Sequence, residues 1–299
     1  MSNQPLTDFE KHVILNKGTE PPFSGQYHDH FEQGVYCCRA CDAPLYLSED
    51  KFQSHCGWPS FDDEIPFAVA REVDADGRRT EILCHNCGGH LGHVFNGERL
   101  TPKNTRHCVN SVSMQFKPVK TQLATFAGGC FWCLEAFFQP IKGVLKVTSG
   151  YCGGNAETAN YQQVCCGQTQ HAEAVQIIYD DNLISYQTLL ELFFGCHDPT
   201  TLNRQGNDTG PQYRSAIFYH NDKQKQLAAE AMANLETLEY EAETIVTELV
   251  EAKAFYQAEP EHHNYYMQHP YQGYCQVVIS PKMHKLKQNY SKLVKEHLL

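Results

Sequence analysis

The chain has 299 residues, 41% of them hydrophobic and 20% charged, which suits about two packed domains rather than a disordered tract. Its net charge of −11, shared by both halves, has the wrong sign for phosphate backbones, so neither nucleic acid nor an anionic membrane surface is expected as a partner. No apolar run approaches the roughly 18 residues of a membrane span, and the first ten residues lack the pattern of an export signal, so a cytoplasmic location is expected.

In chain order, Thr7 and Glu10 fit a capping box and Gly18 a stop, predicting a first helix. Short alternating segments cut by Gly and Pro follow at 34–38, 66–71, 81–84 and 108–116, which predict a small, mostly antiparallel β domain. The polar stretch 117–122 is the expected boundary, giving domains over 1–118 and 123–299 with 119–122 as linker. Beyond it the pattern predicts a strand at 123–126, a helix at 130–142 ended by Gly143, and strands at 144–150 and 174–179. A helix capped by Ser185 then runs to Cys196, a strand spans 214–219, and a helix capped by Asn221 reaches 238. A strand at 244–250 and a basic terminal helix from Ser280 complete the domain. The order β-α-β-β-α-β-α-β suggests an α+β sandwich with ferredoxin-like elements. No repeat links the halves.

Fourteen cysteines with no export signal point to metal ligands or redox thiols rather than a disulfide framework. Cys38-Arg-Ala-Cys41 and Cys84-His-Asn-Cys87 are two CxxC pairs, and two such turns complete a tetrahedral thiolate site suited to one structural zinc per chain. The 42 residues between them exceed the usual zinc-ribbon spacing, and the competing reading is two redox dithiols. Cys37 adjoins Cys38 but cannot form the i, i+3 pair.

Two further cysteines stand in reactive settings. Cys108 lies in Thr105-Arg-His-Cys-Val-Asn110, where basic neighbours favour a thiolate, although a buried strand cysteine fits the pattern equally. Cys130, in Gly128-Gly-Cys-Phe-Trp-Cys133, follows a strand and opens a helix whose N-terminus lowers a thiol pKa. Phe131 and Trp132 can wall its sulfur, and Cys133 fits packing better than redox chemistry. Glu173, in His171-Ala-Glu173, can serve as an acid if buried; the pattern alone favours an exposed carboxylate at a strand start.

These motifs carry resemblances. Residues 1–118 resemble the R-specific methionine sulfoxide reductases, the B type, through CGWPSF at 56–61, HLGHVF at 90–95, RHCVNS at 106–111 and both CxxC pairs. The resemblance implies Cys108 as nucleophile and His93 as the principal group on the sulfoxide oxygen. It makes His90, Arg106 and Asn110 polar partners, Trp58 the wall for the substrate methyl, and Cys56 the resolving thiol, with Cys37 as an alternative. Asn96 stands near where several members carry an acidic residue.

Residues 122–299 resemble the S-specific enzymes, the A type. The matching segments are GCFWCLEAFF at 129–138, SGYCGG at 149–154, HAEAVQ at 171–176, HDPTTLNRQGND at 197–208, QYRSAIFY at 212–219 and the Gly273-Tyr-Cys275 tail. By that resemblance Cys130 attacks sulfur, Glu173 protonates the oxygen, Tyr161 and Tyr213 bond it, and Asp208 orders the site. Phe131 and Trp132 hold the methyl, and Cys275, on a mobile C-terminal segment, resolves the sulfenic acid. Cys152, Cys165, Cys166 and Cys196 receive no role.

The implied whole is a bifunctional methionine sulfoxide reductase, a B-type domain fused N-terminal to an A-type domain, acting in oxidative-stress repair. It would act on free or protein-bound methionine sulfoxide through sulfenic acid and disulfide chemistry, with thioredoxin as reductant. A zinc-ribbon interaction module would explain the four ligands but not Cys108 or Cys130. A general thiol–disulfide oxidoreductase would need metal-free CxxC pairs.

Overall fold

The computed structural model describes residues 5–238 and 244–295. The chain forms two units, Met1–Lys120 and Thr121–Leu299.

The first unit opens on α1 (Asp8–Ile14), where both halves of the Thr7–Glu10 capping box form. Nine strands follow: β1 (Gly34–Cys38), β2 (Pro44–Leu47), β3 (Lys51–Phe52), β4 (Ser60–Phe61), β5 (Val69–Val73), β6 (Thr80–Cys84), β7 (His90–Asn96), β8 (Thr105–Val109) and β9 (Met114–Pro118). They make two antiparallel sheets, ordered β2-β1-β9 and β3-β4-β8-β7-β6-β5. The expected single strand over 108–116 is instead two strands in different sheets. Between them Ser111–Ser113 forms a 3-10 turn, and the buried Glu20 carboxylate accepts the backbone N–H of Ser111 and Val112, which breaks the run. In the core, Tyr46 stacks on Phe61 with ring centroids 4.3 Å apart, a contact worth about 1 kcal/mol beyond burial.

The second unit contains β10 (Thr121–Ala127), α2 (Phe131–Phe138), β11 (Val144–Cys152), α3 (Tyr161–Cys165), β12 (Ala172–Asp180) and α4 (Tyr186–Cys196). The short β13 (Arg204–Gln205) and β14 (Asp208–Thr209) pair with each other. Next come β15 (Ala216–Tyr219), α5 (Asp222–Leu238), β16 (Glu248–Glu251), β17 (Phe255–Gln257), α6 (Tyr265–Gln268), a π-helical turn over Cys275–Ile279, and α7 (Ser280–Tyr290). One sheet runs β16-β15-β10-β12-β11-β17, antiparallel except at β15–β16. Its four inner strands follow the β-α-β-β-α-β plan. The helix expected over 130–142 spans only Phe131–Phe138. Pro140 ends it ahead of Gly143, since proline has no N–H for the helical ladder and clashes with the preceding turn. Helix α2 packs on β11 and β12, so its N-terminus opens beside the start of β12. No helix among the described residues is long and apolar enough to cross a membrane.

Candidate functional sites

The four thiols of the CxxC pairs converge. The Sγ atoms of Cys38, Cys41, Cys84 and Cys87 all lie within 4.8 Å of one another, the nearest contacts being 3.7 Å for Cys38–Cys87 and 3.6 Å for Cys41–Cys84. A tetrahedral ion at about 2.3 Å from each sulfur separates ligands by about 3.8 Å, so the thiols fit such an ion. The two turns repeat one design. Asp42 N–H bonds the Cys38 carbonyl at 2.9 Å and Gly88 N–H the Cys84 carbonyl at 2.8 Å. Asp42 and Gly88 share a left-handed backbone, with φ of 66° and 72°. Cys37 lies buried on β1, outside the cluster.

Strand register builds the second centre of this unit. Ser60, Cys108, His93 and Glu81 are successive cross-strand partners on β4, β8, β7 and β6. Cross-strand partners share a face, and Arg106 joins that face two residues before Cys108. His107 faces the other side and is buried against Tyr46, with its hydroxyl 3.2 Å away; burial pulls its pKa down to about 3. Gly92 (φ 154°) lets β7 approach β8, because a Cβ there would overlap the Cys108 carbonyl oxygen.

The CGWPSF segment brings Cys56 Sγ to 3.7 Å from Cys108 Sγ. The donors gather on Cys56: Ser54 Oγ at 3.0 Å and Arg106 Nη1 at 3.3 Å. The hydrogen bond from Cys108, with help from Ser54, pulls the Cys56 thiol down to about 4. That same hydrogen bond, then burial, pushes Cys108 up. Arg106, the basic neighbour expected to ionise Cys108, still favours its thiolate, but the hydrogen bond with Cys56 and burial outweigh it in the resting pair. Arg106 is held bidentately by Glu98 at 2.7 and 3.0 Å, an acidic residue that no local pattern picks out. Asn96 instead accepts from the Thr105 hydroxyl at 3.1 Å.

His90 donates from Nδ1 to Glu81 at 2.6 Å, and His93 from Nε2 to Asp74 at 2.7 Å. Trp58 Nε1 bonds the Glu20 carbonyl at 3.0 Å. Asn110 points elsewhere: its buried amide bonds the Leu91 carbonyl and the Glu20 N–H and so braces the loop after β8.

In the second unit Cys130 is the N-cap residue of α2, as the sequence predicts, after a sharp turn at Gly129 (φ 92°). Glu173 is 2% exposed and accepts the first free N–H of the helix, from Phe131, at 3.0 Å. Burial pushes its carboxyl up to about 8, so it is largely protonated at neutral pH. Burial also pushes the Cys130 thiol up, outweighing the helix N-terminus, while the hydrogen bond with Cys130 draws Cys133 down to about 7.

Tyr161 and Tyr213 pack on the same core as Cys130, and both phenols interact electrostatically with Glu173 and Cys130. Asp208 accepts the Tyr274 hydroxyl at 2.6 Å, and that hydroxyl also lies 3.8 Å from Cys133 Sγ. Tyr274 and two aromatic neighbours escape sequence reasoning. Tyr265 stacks on Trp132 at 3.8 Å, and the His262 ring packs on Phe131 and Trp132 at 5.5 and 5.7 Å. Cys275 does not stand on an extended tail. It lies fully buried in the π-helical turn that runs into α7, and burial, with a smaller contribution from Cys133, pushes its thiol up.

A tetrathiolate cluster on a β unit, followed by an α+β unit with a buried thiol and a protonated carboxyl, defines a two-domain thiol oxidoreductase. The chain belongs to the peptide methionine sulfoxide reductase family, whose profile matches residues 122–294, and a SelR domain matches residues 6–118. The peptide methionine sulfoxide reductase MsrA of Acinetobacter baumannii (strain SDF) is 53% identical over 175 residues, covering 58% of this chain and 99% of that protein. The MsrA of Saccharolobus solfataricus (strain ATCC 35092 / DSM 1617 / JCM 11322 / P2) is 48% identical over 176 residues, covering 59% and 98%. A crystal structure of Mxr1 from Saccharomyces cerevisiae in reduced form matches with 32% identity and a TM-score of 0.49, covering 54% of this chain and 92% of that one.

Proposed function

We propose that the chain reduces both epimers of methionine sulfoxide, the R form at Cys108 and the S form at Cys130. The observation that carries this reading is that each unit sets one thiol beside a second thiol and a group able to deliver a proton. In the first unit these are Cys108, Cys56 and the His90–His93 pair; in the second, Cys130, Cys133 and Glu173. A sulfoxide sulfur is chiral and its oxygen needs donors in fixed positions, so one site serves one hand.

At each centre the thiol sulfur takes the sulfoxide oxygen and becomes a sulfenic acid, the thiol proton ends on that oxygen, and methionine leaves. A second thiol then displaces water to form a disulfide, which a dithiol such as thioredoxin reduces. Cys56 is the resolver for Cys108, supported by their 3.7 Å separation. Cys275 is the resolver for Cys130, with Cys133 as its competitor. Trp58 and the Phe131–Trp132 pair hold the substrate methyl, and Tyr161 and Tyr213 bond the oxygen. Arg106 and Asp208 act by holding Cys56 and Tyr274 in place, while Asn110 supports the loop after β8. One zinc on Cys38, Cys41, Cys84 and Cys87 would stabilise the first unit without an open coordination position.

The test is an assay on separated R and S methionine sulfoxides with dithiothreitol. Cys108→Ser is expected to remove only R reduction and Cys130→Ser only S reduction; loss of both activities in either variant rejects the two-site reading. With thioredoxin as reductant, Cys275→Ser should stop after one S turnover. Continued cycling would transfer the resolving role to Cys133.

A further inference from the structure

In the first unit each of the two imidazoles on the Cys108 face is one end of a three-membered chain. His90 is 2% exposed. Its Nδ1 donates to Glu81 Oε1 at 2.6 Å, and Lys17 Nζ holds the other oxygen of that carboxylate at 2.6 Å. His93 donates from Nε2 to Asp74 Oδ2 at 2.7 Å, and Arg79 holds Asp74 at 2.8 Å while also bonding Asp76. The rings meet edge to face, with centroids 5.7 Å apart. The carboxylates grip opposite nitrogens. His90 Nε2 is therefore left bare, buried and without a partner, and His93 keeps Nδ1 as its acceptor.

We propose that Glu81 and Asp74 are positioning residues that fix these two tautomers, so that the imidazoles present bare nitrogens to carry the Cys108 proton to the sulfoxide oxygen. The inference rests on the R-reduction reading above.

The proton balance calls for such a carrier. The Cys108 thiol and the sulfoxide together hold the one proton that the sulfenic acid needs, so the step requires no external acid, only a base that takes the proton from sulfur and returns it to oxygen. An imidazole whose far nitrogen already donates to a carboxylate does this with little charge separation, because the transient imidazolium is neutralised by the carboxylate behind it. His93 stands directly across the strand pair from Cys108. Glu81 lies opposite His93 on β6 and reaches His90 on the same face. Against burial, the hydrogen bonds from Lys17 and His90 hold the Glu81 carboxyl below its ordinary range, and the hydrogen bond from His93, with the charge of Arg79, does the same for Asp74.

The experiment uses the full-length, metal-loaded chain and the variants Glu81→Gln and Asp74→Asn. In the wild type, ¹⁵N NMR of the side chains is expected to show His90 protonated at Nδ1 and His93 at Nε2. Each variant should lose this preference at its own imidazole. Each should also reduce single-turnover kcat for the R epimer about tenfold or more, and shift its pH profile, with KM, bound metal and S reduction unchanged. Glu81→Asp should partly restore the rate.

The reverse tautomers in the wild type would overturn the proposal. So would unchanged kcat and pH profile in folded variants, which would make the Cys56 thiolate the base. A wild-type chain with these tautomers and no R reduction would reject the functional reading alone.

Discussion

Glu173 sits at the free N–H of the helix that Cys130 opens, in a place where its carboxyl keeps its proton to about pH 8. If it supplies the proton to the S-sulfoxide oxygen, single-turnover S reduction is flat through neutral pH and falls as pH rises through about 8. Glu173→Gln is expected to slow that turnover by 10²-fold or more and to flatten the limb. The same shift has a stability consequence. In the unfolded chain the carboxyl ionises near 4.5, so folding stability declines as pH rises from there to about 8. Denaturant unfolding of Glu173→Gln should lack that decline. The reactive cysteines were legible because their neighbours are local: a CxxC turn, a glycine-led helix start, an Arg two residues from a Cys. Glu98, Glu81, Asp74 and Tyr274 were not, because each reaches its partner only through strand pairing or a returning segment.

At the scale of elements, the HLGHVF motif is informative through its glycine as much as its histidines. Gly92 permits the β7–β8 approach that sets His93 opposite Cys108. Gly92→Ala must either strain its own backbone or push the strands apart, at a cost of about 1–3 kcal/mol. The expected result is a lower thermal midpoint for the first unit and a loss of R reduction larger than that loss of stability explains, with S reduction intact. Strand and helix positions were largely readable from alternation and caps. Thr7, Ser185 and Asn221 each accept the expected backbone N–H. The failures at 108–116 and 130–142 have separate causes. A distant buried carboxylate bends the first run, and Pro140 outweighs the helical periodicity of the second. The helical setting of Cys275 was hidden as well, since tail composition does not reveal that a π-turn buries it.

On the scale of the whole molecule, each unit has its own core, one built around Tyr36, Tyr46 and Phe61 and the other around Phe126, Phe131 and Phe193. Among the described residues, only the first unit carries the tetrathiolate cluster. Stripping the metal with a chelator under reducing conditions is therefore expected to lower the melting transition of the first unit and abolish R reduction. The second transition and S reduction should persist. Retention of R reduction by a metal-free chain would make the cluster dispensable for that site.

Joining both units in one polypeptide has a further effect, on stoichiometry. Two separate reductases can be made in any ratio, whereas this chain delivers its two centres one to one at every level of synthesis. Oxidation of methionine by small diffusible oxidants yields both hands of the sulfoxide, so with one hand assigned to each centre, as proposed above, complete repair would run at the pace of the slower centre. If Cys108 and Cys130 divide the two hands as proposed, the balance between the hands is set by turnover at those two thiols.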